Sequence, residues 1–349
     1  MRLVLAPVGP SDVALPSTAL LDGTRDLARR FPEARLRPVA VSRAADLDTR
    51  ADSSGQTRVW LALESLQITG SFKVRGALLA LSLLAETGTR AIAASAGNHG
   101  AGVAYASRIL GVPATVVVPS SAPRAKRAKI ERYGAEIVLC DSPHYDDAEA
   151  LAMELAARPG CAFVSPYDDL AVLSGNGASL GFEIVRAMRG VPEATLVPFG
   201  GGGLATGLAC ALADESGEPL EIMRHVWGVQ SEASCAMARS LASGTAVTRL
   251  PLEGETLAEG LEGGISEAAF ARARFAVAGV AVVDEPSIAR AMAYAYRELG
   301  LVIEGSAATA LCPVLAGLPE QMRGGDVVVV LTGRNVDTER LERVLEDEA

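Results

Sequence analysis

Short apolar runs alternate along this chain with stretches whose apolar residues recur every three or four positions. Runs at 58–63, 91–95, 114–119, 136–140, 162–165, 194–199, 225–230, 280–284 and 326–332 read as strands. Many are near-continuous Val, Ile, Leu or Ala, the pattern of strands covered on both faces. Between them, 124–133, 146–157, 178–188, 233–242, 267–276 and 286–299 read as amphipathic helices, and 336–345 as a helix at the chain's end with no room for a separate regulatory domain. The alternation predicts an α/β fold with mostly parallel sheet. The first fifty residues are rich in Pro and Arg and weakly periodic, so they are expected to wrap a core built later. There is no fixed-period repeat; the one low-complexity run is Gly200 to Gly203.

Composition narrows the classes. A chain of 349 residues is too long for one small core and fits one large domain or two lobes. Aromatic content of 4% argues against a base-stacking surface. A net charge of −10 and a pI near 5.0 argue against a nucleic-acid partner, which needs a basic face. The odd count of cysteines (Cys140, Cys161, Cys210, Cys235, Cys312) contains no CxxC spacing and reads as reduced thiols in a cytoplasmic protein. The histidines His99, His144 and His225 lack zinc-ligand spacing, and no metal is expected from them. Pro7 and Pro10 interrupt the apolar start before it reads as a signal peptide, and no apolar run is long enough to span a membrane.

Three Gly-rich turns follow three of the strands, and in open parallel sheets such turns gather around a ligand. The first, residues 64–77, places Ser71 as a helix N-cap with Lys73 in the first turn. The positive end of the helix disfavours a cation there, which favours the neutral amine that imine chemistry uses. A surface lysine snorkelling off a helix start has the same pattern. The second, residues 94–107, offers Ser95, Asn98 and helix-start N–H groups as an anion cradle that fits a substrate carboxylate. An Asn-Gly turn with an ordinary cap has this pattern too. The third, residues 197–209, carries four consecutive glycines whose bare N–H groups suit a phosphoryl group. No GK[ST] follows it, so a single phosphoryl group is favoured over a nucleoside triphosphate.

The ordered set of a GSFK lysine, a SAGNHG loop and a GGGGL loop resembles the fold-type II pyridoxal-phosphate (PLP) enzymes, and the serine/threonine dehydratase (threonine ammonia-lyase) family among them, over about 58–336. The resemblance implies a fold like that of the tryptophan synthase beta subunit, with two lobes, each a mostly parallel sheet flanked by helices. The small lobe, 90–166, is then inserted into a large lobe made of 1–89 and 167–349, and PLP lies between them. It implies Lys73 as the lysine joined to the cofactor and the base for proton transfer. Asn98 then meets the cofactor's phenolic oxygen, and Ser95, Asn98 and His99 line the substrate-carboxylate loop. Gly200, Gly201, Gly202, Gly203 and Leu204 hold the phosphate through backbone N–H groups. Glu304, in LVIEGSAATA, lies at the cofactor edge, and Thr332, in VVVVLTGRNVD, meets the pyridine nitrogen. The segment 257–265 resembles a loop bordering the cofactor. A hydroxyl at Thr332 does not force a proton onto that nitrogen, which suits β-elimination better than transamination.

The resemblance therefore implies a homodimeric lyase that converts a small β-hydroxy amino acid to a 2-oxo acid and ammonia. A β-replacement synthase shares the first half of that reaction. An amino-acid racemase would need a second acid/base where this chain has Ala96, and Gln230 and Ala236 fall near the racemases' metal carboxylates, so no divalent metal is expected. A phosphometabolite-binding protein without catalysis would use the Gly200–Gly203 loop alone. Three departures from the family pattern stand out: Ala62 in place of a basic residue, Arg37-Pro38-Val39 in place of Thr-Pro-Leu, and Arg334 in place of a glycine. Arg334 is expected to reach an acidic substrate side chain or to point to solvent.

Overall fold

The computed structural model describes residues 1–7, 13–250 and 254–348; Pro10 lies outside them. The strands are β1 (Arg2–Leu5), β2 (Val41–Arg43), β3 (Thr57–Leu63), β4 (Arg90–Ala94), β5 (Ala114–Pro119), β6 (Glu136–Cys140), β7 (Cys161–Phe163), β8 (Ala194–Pro198), β9 (Val226–Ser231), β10 (Gly279–Val283) and β11 (Gly325–Leu331). They form a seven-stranded sheet in the order β1-β10-β9-β8-β11-β3-β2 and a four-stranded sheet in the order β6-β5-β4-β7. The pairs from β10 through β3 are parallel, as are all pairs of the smaller sheet. Among the described strands, only the edge strands β1 and β2 pair antiparallel. This is the fold-type II arrangement.

The nine expected strands are present within a residue or two. Their continuous apolar runs are matched by complete burial of β5, β8, β9 and β10. The two edge strands are the correction. Residues 2–5 and 41–43 do more than wrap a core, because they extend the large sheet itself. Each is short and half-exposed, and so carries no strong periodic signal.

Two apolar clusters sandwich the large sheet. One contains Phe199, Leu204, Leu208, Val226 and Phe270, and the other Leu61, Leu196, Ile288, Leu311 and Val329. A third cluster is shared between bodies. It packs Val74, Leu78 and Leu81 of the helix Lys73–Thr87, together with Leu27 and Phe31, against Ala93, Val103, Val116 and Ile130 around the small sheet. The helix bearing Lys73 is thus built into the core of the smaller sheet.

Candidate active site

Lys73 is the first residue of the helix Lys73–Thr87. Ser71 does not cap that helix, as the sequence suggested. It forms an isolated antiparallel bridge with Gly333, and its fully buried Oγ has no hydrogen-bond partner among the described residues. Phe72 occupies the cap position without a side-chain bond, and its N–H donates to Thr332 O at 3.1 Å. Pairing with the β11 loop has won over local capping, and it brings Thr332 beside the start of the helix.

The Lys73 Nζ donates to Pro166 O at 3.2 Å. Burial pushes the amine down to about 8, while the nearby Glu304 carboxylate partly opposes that shift. Two residues on, Arg75 is fully buried. Its guanidinium donates to Glu64 at 2.9 and 2.8 Å and to Glu183 at 3.0 and 2.7 Å. Asn176 Oδ1 accepts from Gly76 N at 2.9 Å. These bonds fix the helix start along its length and around its axis.

The second turn runs from β4 into the helix Asn98–Leu110. Ser95 Oγ accepts from Gly97 N at 3.1 Å and closes the loop. His99 is buried, and its Nε2 lies 2.9 Å from Val164 O. A carbonyl only accepts, so Nε2 carries the proton and Nδ1 is left as an acceptor with no partner among the described residues. Burial, and then the charge of Lys73, push His99 down to about 3. Its ring is neutral and already engaged with Val164 O.

Asn98 anchors a polar network. Its Nδ2 donates to Glu304 Oε1 at 2.7 Å, and its Oδ1 accepts from Asn335 Nδ2 at 2.6 Å. Asn335 N donates to Glu304 Oε2 at 3.1 Å. Lys129 Nζ, from the helix Arg124–Tyr133, donates to Asn335 Oδ1 at 2.7 Å and to Thr69 O at 2.8 Å. Burial raises the Glu304 carboxyl above its usual range, and the bonds from Asn98 and Asn335 pull it partly back.

The third turn follows β8 and opens the helix Gly203–Ser216, whose N-terminus has no side-chain cap. Gly202 has φ +82°, a conformation that disfavours any residue with a Cβ. The Tyr167 ring lies so close over Gly201 that a Cβ there would come within 2.5 Å of it. Tyr167 follows Pro166, the acceptor of the Lys73 amine, so the lysine and the glycine loop are neighbours. Leu204 is buried in the core, which leaves its N–H as the part that can face a ligand.

These residues fit PLP. The site combines an amine of lowered pKa, an uncapped helix start behind a bare glycine turn, an unpaired buried hydroxyl at Ser71, and an amide-carboxylate network beside the lysine. Arg334 is partly exposed, and its Nη1 donates to Ser65 O. Lys129, Asn335 and Tyr167 were not singled out in the sequence. Asn335 stands three residues after Thr332 in the same loop, the one signal that could have found it. Gln230 is committed by its amide to Phe199 O at 3.0 Å and Ala238 N at 2.9 Å. Among the described residues, no three His, Cys, Asp or Glu side chains gather to hold a metal. All five cysteines are free, with Cys161 only partly buried.

A fold of two mostly parallel sheets, with a lysine, an amide loop and a glycine loop converging between them, defines a class. Residues 43–333 match the family of pyridoxal-phosphate dependent enzymes, and the chain belongs to that family. Its cofactor is therefore pyridoxal phosphate. The chain is 35% identical over 291 residues to the L-threonine ammonia-lyase of Thermotoga maritima, covering 82% of this chain and 69% of that protein. It is 35% identical over 293 residues to the catabolic L-threonine dehydratase of Staphylococcus aureus, covering 82% of each. The processed form of threonine deaminase isoform 2 from Solanum lycopersicum superposes with a TM-score of 0.81 at 26% identity, covering 99% of this chain and 98% of that one.

Proposed function

We propose that this chain is a PLP-dependent ammonia-lyase that removes the β-hydroxyl of threonine or serine, giving a 2-oxo acid and ammonia. The observation that carries the proposal is the Lys73 amine, pushed down to about 8 and set between the glycine loop and the Asn98 loop. The similarity to proteins named threonine ammonia-lyase and threonine dehydratase supports the choice of reaction.

Bound PLP supplies a conjugated ring that withdraws electrons from the substrate Cα. The residues of this chain do the rest. With PLP bound, Lys73 Nζ would hold the cofactor and, as a free neutral amine, would act as the base for the Cα proton. The N–H groups of Gly200 to Gly203 and Leu204, at the positive end of the helix Gly203–Ser216, hold the phosphate. Ser95, Asn98 and the backbone of His99 hold the substrate carboxylate. Asn98, Glu304 and Thr332 would hold the cofactor ring, with Asn98 toward its phenolic oxygen and Thr332 toward its nitrogen. The neutral Thr332 hydroxyl would not hold a proton on that nitrogen as a carboxylate would, which would favour prompt loss of the β-hydroxyl.

Ala96 offers no proton to the substrate's opposite face, which weighs against racemisation. In support of two lobes, 90–166 inserted into 1–89 with 167–349, the strands β4–β7 form a sheet of their own. The family resemblance extends the proposal to a homodimer in the cytoplasm, and sedimentation of the purified protein tests the dimer.

The deciding experiment assays a panel of β-substituted amino acids for ammonia and 2-oxo acid, with Lys73→Ala as control. Threonine or serine turnover that disappears in the variant is the expected result. A fully PLP-loaded protein that yields no 2-oxo acid overturns the lyase reading. If product then forms only when sulfide is added, a β-replacement synthase takes its place.

A further inference from the structure

A side chain that can only donate leaves an amide no choice of orientation. The Lys129 ammonium has three N–H donors and no lone pair, so Asn335 turns its oxygen to Lys129 at 2.7 Å. Asn335 Nδ2 then faces Thr69 O at 3.1 Å and Asn98 Oδ1 at 2.6 Å. With its oxygen occupied, Asn98 directs Nδ2 the other way, where it meets Glu304 Oε1 at 2.7 Å. Glu304 alone does not fix this sense, because a carboxyl that takes up a proton can donate as well as accept. Lys129, which donates to the Asn335 oxygen, and the Thr69 carbonyl, which accepts from Asn335 Nδ2 at 3.1 Å, remove the ambiguity from the far end.

We propose that Lys129 is a positioning residue that sets the polarity of an Asn335–Asn98 amide relay, so that Asn98 presents an N–H donor, not a carbonyl, to the cofactor. The inference rests on the reading above that Asn98 meets the cofactor. Among the described residues no carboxylate bonds Lys129; its hydrogen bonds run to the Thr69 carbonyl and the Asn335 amide. It also belongs to the helix Arg124–Tyr133 and not to the loop it steadies, so it ties the body of the small sheet to the residues just before Lys73.

The test compares PLP-loaded wild type with Lys129→Arg and Lys129→Met. Arginine also only donates, so Lys129→Arg is expected to keep the visible band of the bound cofactor and to hold kcat for L-threonine within about twofold. Lys129→Met leaves the Asn335 oxygen without a charged donor. Its cofactor band should shift, and its kcat should fall by about tenfold at nearly unchanged KM, the scale of one charge-assisted hydrogen bond. A Met variant with the wild-type band and wild-type kcat overturns the proposal. Neutron diffraction from wild-type holoenzyme crystals reads the same point without any variant. Deuterium on the Asn98 atom facing the cofactor supports the relay, and oxygen there overturns it. If wild type binds PLP yet releases no 2-oxo acid, the lyase reading fails, while the band and the neutron map still judge the relay.

Discussion

The titration of one amine carries the chemistry at the residue scale. Lys73 is protonated and unreactive towards an aldehyde below about pH 8 and free above it, because burial disfavours the charged form. The rate at which cofactor-free protein captures PLP should therefore climb as pH rises through about 8 and level off above it. Stopped-flow absorbance across pH 6 to 10 measures this, and a flat profile contradicts it. Lys129 is also pushed down to about 8, again by burial first. Repeating the profile with Lys129→Arg, which stays charged throughout, assigns the midpoint to Lys73 if it does not move. The position of Lys73 in a first helical turn was legible from the sequence. The relay behind it was not, since Lys129, Asn335 and Asn98 lie far apart in the chain and meet only in the fold.

At the scale of elements, what matters is how firmly each turn is held. Arg75 holds the Lys73 helix through two carboxylates, Glu64 at 1% exposure and Glu183 at 8%. Arg75→Met strands both in the interior and should cost about 3–5 kcal/mol of stability, read by urea unfolding. Adding Glu64→Gln and Glu183→Gln should recover much of the loss; no recovery would mean that packing, not charge, sets the cost. At the glycine turn, Gly202→Ala forces a Cβ into φ +82° at about 1–2 kcal/mol and tilts the N–H groups offered to phosphate. PLP affinity should fall while Lys73 remains able to react with a simple aldehyde. The interior strands were legible because both faces are covered and their sequences run continuously apolar. The edge strands β1 and β2 were not, because a strand of three or four residues with one wet side leaves almost no period to read. The Ser71 cap failed for a related reason. Local capping chemistry lost to a long-range bridge with Gly333, which no local pattern announces.

For the whole molecule, the cofactor is expected to act as a bolt between two cores. The helix that carries Lys73 packs into the cluster shared with the small sheet, whereas the glycine loop ends β8 in the large one. A ligand joined to the first and held by the second binds only when both are folded and docked. At a PLP concentration one hundred times its Kd, binding adds about 2.7 kcal/mol to stability. For a chain of 349 residues this corresponds to a rise in Tm of ~4 °C. A gain confined to one core would leave the other melting as before. The prediction is sharper in hydrogen exchange: amides of β4 and β5, which bear no phosphate-holding residue, should slow together with those of β8 when PLP is added. Protection confined to β8 and its neighbours would mean that Lys73 sits in a helix whose packing is independent of the cofactor. The close fit of that helix against the small sheet would then serve stability alone.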